Sequence, residues 1–527
     1  MILHDPSGRK PAGAAHTTLD GLFRRNVARR PDALALIDPP DRAQFGDGPV
    51  RRLSYAEADH MVSAIAGRLR RLGLPIDCIV GLQLPNTVEG VLALLGVWRA
   101  GLIAMPLPLL WRRADAAAAL SRVGASALLV ASRVGEVDHF DLAMQIAAET
   151  FSVRHICGFG KACDGVVALD DLYAASEIDP VPPPSAERSA PPGPGAHLAL
   201  ITWDVTSDVS WDLGAAGLVP TARSHAQLIS GGVAVLLESR IKRNATMLST
   251  ITLSSFAGLA SALLPWLLTG GTLVLHQPFT EAVFARQRDE LGCDAVVIPG
   301  PLAAKIADAG HLSAAGLKNV IAVWRAPEQL VQASAWTAPG SITDVRAFGE
   351  IGLIAGRRDA RGWPASIPLG AVDAPRGGAD SIVIAEVACT EDGTLALRGP
   401  MVPVAAFPLG AERTHLPHVK VAASGFVDTG YPCRIDRIGN TITVTGAPPG
   451  TVNVGGYRFV LRDVQGLVGG IEEDGTLVAL PDALAGTRLA GVAADAAAMR
   501  DALARLGVNP LLVEAFDQHH EQRIAAA

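Results

Sequence analysis

The stretch ITWDVTSDVSWDLGAAGLVPTARSH, residues 201–225, has the outline of a loop that binds phosphate. A β-branched strand leads into a turn of Thr, Ser and Gly, and a helix start follows, so that backbone N–H groups could converge on an anion. Yet the stretch contains no lysine. Asp204, Asp208 and Asp212 stand within it, and Arg223 is its one basic residue. The pattern predicts a phosphate-type loop whose charge has been reversed.

Other reactive groups give no alternative catalytic pattern. None of the six lysines precedes Ser or Thr, which excludes a Walker-type loop, and no lysine follows Lys420. Ser224 and His225 are adjacent, so their side chains diverge and cannot form a nucleophile and base pair. No G-x-S-x-G segment is present. We interpret His519 and His520 as part of a frayed tail.

Composition limits the partners. The formal net charge is -7 over 527 residues, and no basic run or aromatic–basic interleaving occurs. These features argue against a polyanion and against nucleic acid as a partner. The six cysteines form no CxxC pair and are interpreted as reduced core residues. The first residues lack the apolar run of a signal peptide, so a cytoplasmic location is expected.

A membrane alternative arises from residues 244–280, which contain no Asp, Glu, Lys or Arg. A spanning helix needs roughly 20 predominantly apolar residues. Pro265, Gly270 and Gly271 interrupt this stretch. A buried helix over 256–268, a turn and a buried strand over 272–276 fit the pattern better, and no membrane span is predicted.

The elements that must position the loop alternate between strand and helix. Residues 78–84 read as a strand, and a long apolar helix follows, with Asn86 as its predicted N-cap and Glu89 three residues later. Further strand and helix segments continue to residue 132. Strand, helix and strand at this spacing predict a parallel sheet with right-handed crossovers.

A Pro-rich linker over residues 181–195 separates this part from a second part of the same kind. The second part contains predicted helices over 226–239 and 281–291. After it, residues 434–446 alternate like a β-hairpin, and residues 496–506 form an Ala-rich helix.

The predicted fold class is α/β. A large N-terminal domain, 1–436, consists of two layered α/β sub-domains, about 1–180 and 196–370, plus a β-rich part. A small, shortened α+β C-terminal domain, 437–527, follows a hinge.

Several segments, in order, carry a resemblance to a known family. They are VGLQLPNTVEGVLALLGVWRAGLIAMPL, LTGGTLVLHQPFTEAVFARQRDELGCDAVVIPGP, AFGEIGLIA, and GFVDTGYPCRIDRIGNTITVTG followed by VNVGGYRF. Together they resemble the adenylate-forming superfamily, in particular the AMP-forming acyl-CoA synthetases. The resemblance covers nearly the whole chain.

This resemblance implies an enzyme that activates a carboxylic acid with ATP and Mg²⁺, releases pyrophosphate and passes the acyl group to a thiol, coenzyme A in the usual case. It implies a small-molecule carboxylate or acyl-thioester as partner. It leaves the oligomeric state open. A triphosphate approaching a carboxylate requires N–H donors and cations, because negative charge accumulates during the attack at phosphorus.

The resemblance also implies roles for individual residues. Glu350 matches the family's metal-holding glutamate, and Arg223 could supply positive charge to phosphate; these two are the candidate catalytic residues. The candidate cofactor-binding residues are Thr206, Gly217, Arg325, Phe348, Gly349 and Thr429. The candidate residues of the acyl pocket are Ser255, Phe256 and Gly258.

The sequence departs from the family pattern at positions that bind the nucleotide in the family. Trp324 and Arg325 replace two glycines that admit adenine, and Tyr431 occupies the position of the ribose-binding aspartate. The late lysine of the adenylation step has no counterpart. We therefore expect an acyl-CoA synthetase-like protein that handles a carboxylic acid or acyl group with impaired or altered adenylation. The alternative is a non-catalytic relative that binds an acyl ligand or a partner protein.

Overall fold

The structure, a computed structural model, describes residues 1–3, 16–161, 163–174, 193–207, 217–313 and 316–517. Within these residues, the strands form three large sheets, a four-stranded sheet and a two-stranded sheet. The longer helices of the described chain are Leu19–Arg29, Tyr55–Arg71, Val88–Arg99, Arg113–Val123, His139–Glu149, His225–Ser239, Glu281–Glu290, Gly300–Asp308, Leu461–Ile471 and Ala496–Leu506. Shorter helical segments are Arg42–Phe45, Phe256–Gly258, Leu259–Leu263, Leu264–Thr269 and Pro510–Glu514.

A seven-stranded sheet contains the two strands on either side of the acidic loop, and the strand that follows the loop forms one edge. Its strands, in spatial order, are Leu218–Ser224, Leu198–Val205, Ile103–Pro106, Ile79–Gln83, Ala127–Ala131, His155–Phe159 and Val166–Ala168. All neighbours are parallel except the first two strands. The central strands are apolar and buried throughout, as expected for a parallel sheet covered on both faces.

An eight-stranded sheet forms the second layer. Its strands, in spatial order, are Gly352–Arg357, Ser341–Phe348, Asn319–Trp324, Ala295–Pro299, Thr246–Ser249, Thr272–Leu275, Leu34–Ile37 and Arg52–Ser54. The strands are parallel apart from the outermost pair at each edge. The uncharged block forms buried helical segments followed by a buried strand, as its pattern predicts.

The two layers exchange strands along the chain. The early strand Leu34–Ile37 pairs with Thr272–Leu275 in the eight-stranded sheet. The later strand Leu198–Val205 pairs with Ile103–Pro106 in the seven-stranded sheet. Sub-domain bounds of about 1–180 and 196–370 therefore do not coincide with sheet membership, because each layer takes strands from both sides of the linker.

The β-rich part is a six-stranded sheet. Its strands, in spatial order, are Ile367–Pro368, Thr441–Val444, Val427–Asp436, Thr394–Arg398, Ile382–Cys389 and Gly370–Ala374. The predicted hairpin around Gly439 and Asn440 is present and belongs to this sheet. A division at residues 436 and 437 would cut that hairpin, so we propose a boundary between residues 444 and 451.

A small body follows from Thr451. Its four-stranded sheet has the order Tyr457–Val460, Thr451–Val454, Gly486–Val492 and Thr476–Asp482. Three helices cover it and enclose a separate apolar core that contains Val468, Leu489, Leu503 and Phe516. A large α/β part with a smaller C-terminal α+β part is the predicted fold class, and it is confirmed. Within the described ranges, no helix combines the length and apolar character that crossing a bilayer requires.

The predicted N-cap at Asn86 is wrong. The helix begins at Val88 with Thr87 as N-cap. The Asn86 amide instead donates to the carbonyl of Ser249 at 3.0 Å. Asp38, 50 residues earlier in the chain, accepts a hydrogen bond from the Val88 N–H at 2.8 Å. A residue distant in sequence thus satisfies the donor that a local cap usually satisfies.

Asp115 carries a pH-sensitive contribution to stability. It lies in the first turn of the helix Arg113–Val123, and its Oδ2 atom is buried without a hydrogen-bond partner. Burial raises the pKa of its carboxyl from an ordinary value of 3.8 to about 7. Because the unfolded chain releases this proton at lower pH than the folded chain, the contribution of Asp115 to stability falls as the pH rises toward 7.

The substitution Asp115→Asn should remove this loss. We expect the apparent melting temperature of the variant, relative to the unsubstituted protein, to rise by about 2–4 °C between pH 5 and pH 8. Differential scanning fluorimetry across this range measures the effect. Asp501→Asn neutralises an exposed aspartate on the helix Ala496–Leu506. The difference in melting temperature between this variant and the unsubstituted protein should stay constant across the pH range. If the melting temperatures of Asp115→Asn and the unsubstituted protein change with pH in parallel, the pH-sensitive role of Asp115 is contradicted.

Candidate functional site

A cavity of about 890 Å³ separates the large part from the small body. On the large side, its walls include the end of the acidic-loop strand at Asp204 and the strand ends at Arg325 and Glu350. On the small side, they include the turn Gly455–Gly456 and Arg458. We call this space the interdomain cavity. It lies where the carboxyl ends of parallel strands converge, the usual place for a ligand in an α/β fold.

The acidic loop contributes Asp204, which forms an ion pair with the small body. Its Oδ1 atom lies 2.7 Å from Nη1 of Arg458 and accepts a hydrogen bond from the Val205 N–H at 2.8 Å. Its Oδ2 atom accepts from the Glu350 N–H at 2.9 Å. Both oxygens of Asp204 are therefore occupied by protein donors.

A tight turn brings Arg458 to this position. The strands Thr451–Val454 and Tyr457–Val460 are joined by Gly455 and Gly456, whose φ angles are 56° and 90°. Two consecutive residues with positive φ suit a two-residue hairpin, and glycine adopts that conformation without a steric penalty. The turn places the side chain of Arg458 in the interdomain cavity, where only 10% of it is exposed.

Arg458 has a second partner in Tyr431, whose hydroxyl it contacts through Nη2. Tyr431 is fully buried and meets the ring of Phe348 edge to face at 5.5 Å between centroids. Burial raises the pKa of Tyr431 to about 12. Burial alone would lower the pKa of Arg458, but Asp204 and Tyr431 raise it above its ordinary value. The arginine stays charged and is neutralised inside the protein.

Glu350 lies beside this pair. Its Oε2 atom accepts a hydrogen bond from the Phe256 N–H at 2.8 Å, and its Oε1 atom lies 3.7 Å from Nη2 of Arg325. Glu350 is buried, and burial raises the pKa of its carboxyl. Arg325 acts in the opposite direction and lowers that pKa.

Arg223 lies behind the cavity wall. It is fully buried, donates to the carbonyls of Met401 at 3.2 Å and Ile351 at 2.9 Å, and stacks over the ring of Phe256 at 3.9 Å. Burial lowers the pKa of Arg223 to about 10. Its predicted contact with phosphate does not agree with this placement, because the side chain does not line the cavity and backbone carbonyls accept from its Nε and Nη2 atoms.

The other predicted residues divide into two groups. Those that line the interdomain cavity are Gly217, Arg325, Gly349 and Glu350. Gly349 approaches Asp204 so closely that a Cβ atom there would lie 1.8 Å from Oδ2 of Asp204. Those outside the lining are Thr206, Phe348, Thr429, Ser255, Phe256 and Gly258.

Each residue outside the lining has a structural contact. The Thr206 N–H donates to the Gly217 carbonyl at 2.8 Å and closes the base of the acidic loop. The Thr429 hydroxyl donates to the Leu395 carbonyl at 2.6 Å. Ser255 accepts from the Gly258 N–H at 3.2 Å and caps a helix. The neighbouring residues Thr250, Ile251, Thr252 and Ser254 line the cavity instead. Asp208 and Asp212 lie outside the described residues.

Sequence reasoning missed Arg458 and Tyr457. The Tyr457 hydroxyl accepts a hydrogen bond from the Leu110 N–H at 3.3 Å and thereby links the small body to the large part. The available signal was the Gly-Gly turn, which indicates a tight hairpin and places the next two side chains at its edge. That signal alone does not identify their partners.

The donors and acceptors of the cavity do not fit a metal–triphosphate complex. Both oxygens of Asp204 and the Oε2 atom of Glu350 accept hydrogen bonds from protein donors, and the Oε1 atom of Glu350 lies 3.7 Å from Nη2 of Arg325. Within the described part of the chain, no group of three or more His, Cys, Asp or Glu residues is arranged to hold a metal ion. Among the described residues that line the cavity, none is a lysine. Arg458, the arginine beside Asp204, is already paired.

Comparison with known proteins gives consistent matches. The family model described as AMP-binding enzyme matches residues 23–203. The 2-hydroxy-7-methoxy-5-methyl-1-naphthoate--CoA ligase of Streptomyces carzinostaticus is 27% identical over 505 residues, 89% of this chain and 82% of the ligase. The salicyl-AMP ligase / salicyl-S-ArCP synthetase of Mycobacterium tuberculosis is 28% identical over 270 residues, 51% of this chain and 44% of that protein.

A solved structure supports the same relationship at the level of the fold. The apo structure of Mycobacterium smegmatis MbtA has a TM-score of 0.64 and 21% sequence identity, and the match covers 97% of this chain and 93% of that chain. The sequence relatives and the fold agree. Together, these matches support an assignment of the chain to the adenylate-forming superfamily of AMP-binding enzymes.

Proposed function

We propose that this protein is an acyl or aryl acid ligase-like member of the superfamily that binds a carboxylic acid or its acyl thioester in the interdomain cavity. We propose further that its ATP-dependent adenylation is impaired. One observation carries the second part: the ion pair of Asp204 and Arg458 at the end of the acidic loop.

The negative charge near the acidic loop disfavours the binding of a nucleotide triphosphate. A triphosphate needs cations and free N–H donors, and here Arg458 is neutralised by Asp204. Glu350 and Asp463 line the same cavity. A carboxylate about 5 Å from a phosphate oxygen costs about 3 kcal/mol at an effective dielectric constant near 20, before screening by salt. Two such contacts would outweigh the attraction of one unpaired arginine.

The cavity walls favour an acid with an apolar or aromatic body. Trp111 and Trp203 lie on the walls with ring centroids 6.3 Å apart, and Ile251, Pro299 and Leu302 add apolar surface. The two relatives named above are, by their names, ligases of a naphthoate and of a salicyl group. An aromatic carboxylate therefore suits both the surface and the relatives, and coenzyme A or another thiol is the fitting acyl partner.

Adenylation is tested by pyrophosphate exchange with purified protein across a panel of aromatic and aliphatic acids, with calorimetric titration of ATP in the presence of Mg²⁺. We expect no acid-dependent exchange above background and an ATP dissociation constant weaker than about 1 mM, because the binding free energy lost to like charges exceeds 3 kcal/mol. Micromolar ATP binding together with acid-dependent exchange would show that the proposed impairment is wrong.

The substitution Asp204→Asn isolates the charge of the acidic loop. It removes one negative charge and leaves Arg458 free to pair with an anion, so the affinity for inorganic pyrophosphate should rise by about tenfold or more. Isothermal calorimetry without metal measures the change. Asp501→Asn removes an equal charge from the exposed helix surface and should leave the affinity unchanged. Equal pyrophosphate affinities for Asp204→Asn and the unsubstituted protein would contradict the role of Asp204.

A further inference from the structure

Among the residues that the structure describes, three arginines line the interdomain cavity, and two of them form ion pairs with protein carboxylates. Arg458 pairs with Asp204 at 2.7 Å. Arg113 forms an ion pair with Glu149 and donates to the Arg505 carbonyl at 2.9 Å. Arg325 differs from both, because no described residue accepts a hydrogen bond from its guanidinium within normal distance.

The nearest carboxylate to Arg325 is Glu350, at 3.7 Å from Nη2. That separation is too long for a hydrogen bond. Glu350 already accepts a hydrogen bond from the Phe256 N–H, and its side chain is 4% exposed, against 39% for Arg325. An arginine carries five N–H donors in a planar fork that matches a carboxylate. The donors of Arg325 are thus available to a ligand.

The surroundings of Arg325 select the size and charge of that ligand. Arg325 follows the strand Asn319–Trp324, and Val323, Ala347 and Ile251 line the cavity with it. A single carboxylate would be balanced by the one available guanidinium. A polyanion would face Asp204, Glu350 and Asp463, whereas the other two arginines of the lining are already paired with carboxylates.

The small body holds Arg325 in place. A Cβ atom at Gly456 would lie 3.2 Å from Cδ of Arg325, so the turn packs directly on the aliphatic part of this side chain. The turn of the small body therefore contacts one side of the Arg325 side chain, and the guanidinium remains accessible from the cavity. Such support reduces the entropy that an arginine loses when it binds a ligand.

We propose that Arg325 is the specificity-determining residue of the cavity and binds the carboxylate of a monoanionic acid, with the apolar or aromatic body of the acid against the adjoining wall. This inference rests on the proposed function, which states that the cavity binds an acid or its acyl derivative. It adds the residue that recognises the carboxylate and the charge of the acid.

The test compares acids with neutral amides of the same shape. Salicylate and 2-hydroxy-1-naphthoate, with salicylamide and 2-hydroxy-1-naphthamide, are titrated calorimetrically into the full chain. The unsubstituted protein should bind each acid at least about tenfold more tightly than its amide. Arg325→Gln should weaken the binding of the acids by about tenfold or more and leave the affinity for the amides unchanged, because only the charged pair is lost. Arg325→Lys should restore part of the preference.

Controls separate recognition from folding. Arg361→Gln alters an arginine whose side chain is 84% exposed, and it should leave the affinities for both the acids and the amides unchanged. Unchanged amide affinity and melting temperature in Arg325→Gln would show that the cavity is intact. If the ratio of acid to amide affinity stays the same in Arg325→Gln, the inference is overturned while the proposed function stands. If neither acids nor amides bind the unsubstituted protein, the proposed function fails and the inference with it.

Discussion

The ion pair between Asp204 and Arg458 is the interaction on which the rest of the site depends. It joins residues 254 positions apart and ties the small body to the end of a central strand of the large part. Buried pairs are costly to break, typically about 3–5 kcal/mol when one partner is lost, because an uncompensated charge remains. The pair therefore acts with the Leu110–Tyr457 and Arg113–Arg505 contacts to hold the small body, and it sets the charge that a ligand meets at the end of the acidic loop.

Hydrogen bonds connect this ion pair to the neighbouring residues of the site. Asp204 orients the backbone at Glu350, Glu350 in turn accepts a hydrogen bond from the backbone of Phe256, and Tyr431 gives Arg458 a second partner. The fold of adenylate-forming enzymes is thus combined with polar groups that bind one another at the centre of the site. Under the proposed function, the apolar wall and Arg325 are the parts of the cavity that remain for a ligand.

Sequence reasoning succeeded where structure is local and periodic. The strand at residues 78–84, the helix that ends at Ser239 and the hairpin around Asn440 follow from apolar spacing and turn residues. It failed where a distant residue decides the outcome. Asn86 has the composition of a cap, but Asp38 takes that role, and the interior position of Arg223 follows from carbonyls about 130 to 180 residues away. The partners of Arg458 could not be inferred because nothing within the turn specifies them.

The exchange of strands between the two large sheets has a consequence for how the chain is made. The strand Leu34–Ile37 pairs early with Arg52–Ser54, but it gains its second neighbour only when Thr272–Leu275, beyond the Pro-rich linker, has formed. Ile103–Pro106 likewise pairs early with Ile79–Gln83 and gains its second neighbour when Leu198–Val205 has formed. During synthesis, the first half emerging from a ribosome therefore exposes unpaired strand edges until the second half follows. A gene divided at the linker would yield two fragments that must assemble by complementation, since neither could complete the seven-stranded or the eight-stranded sheet alone.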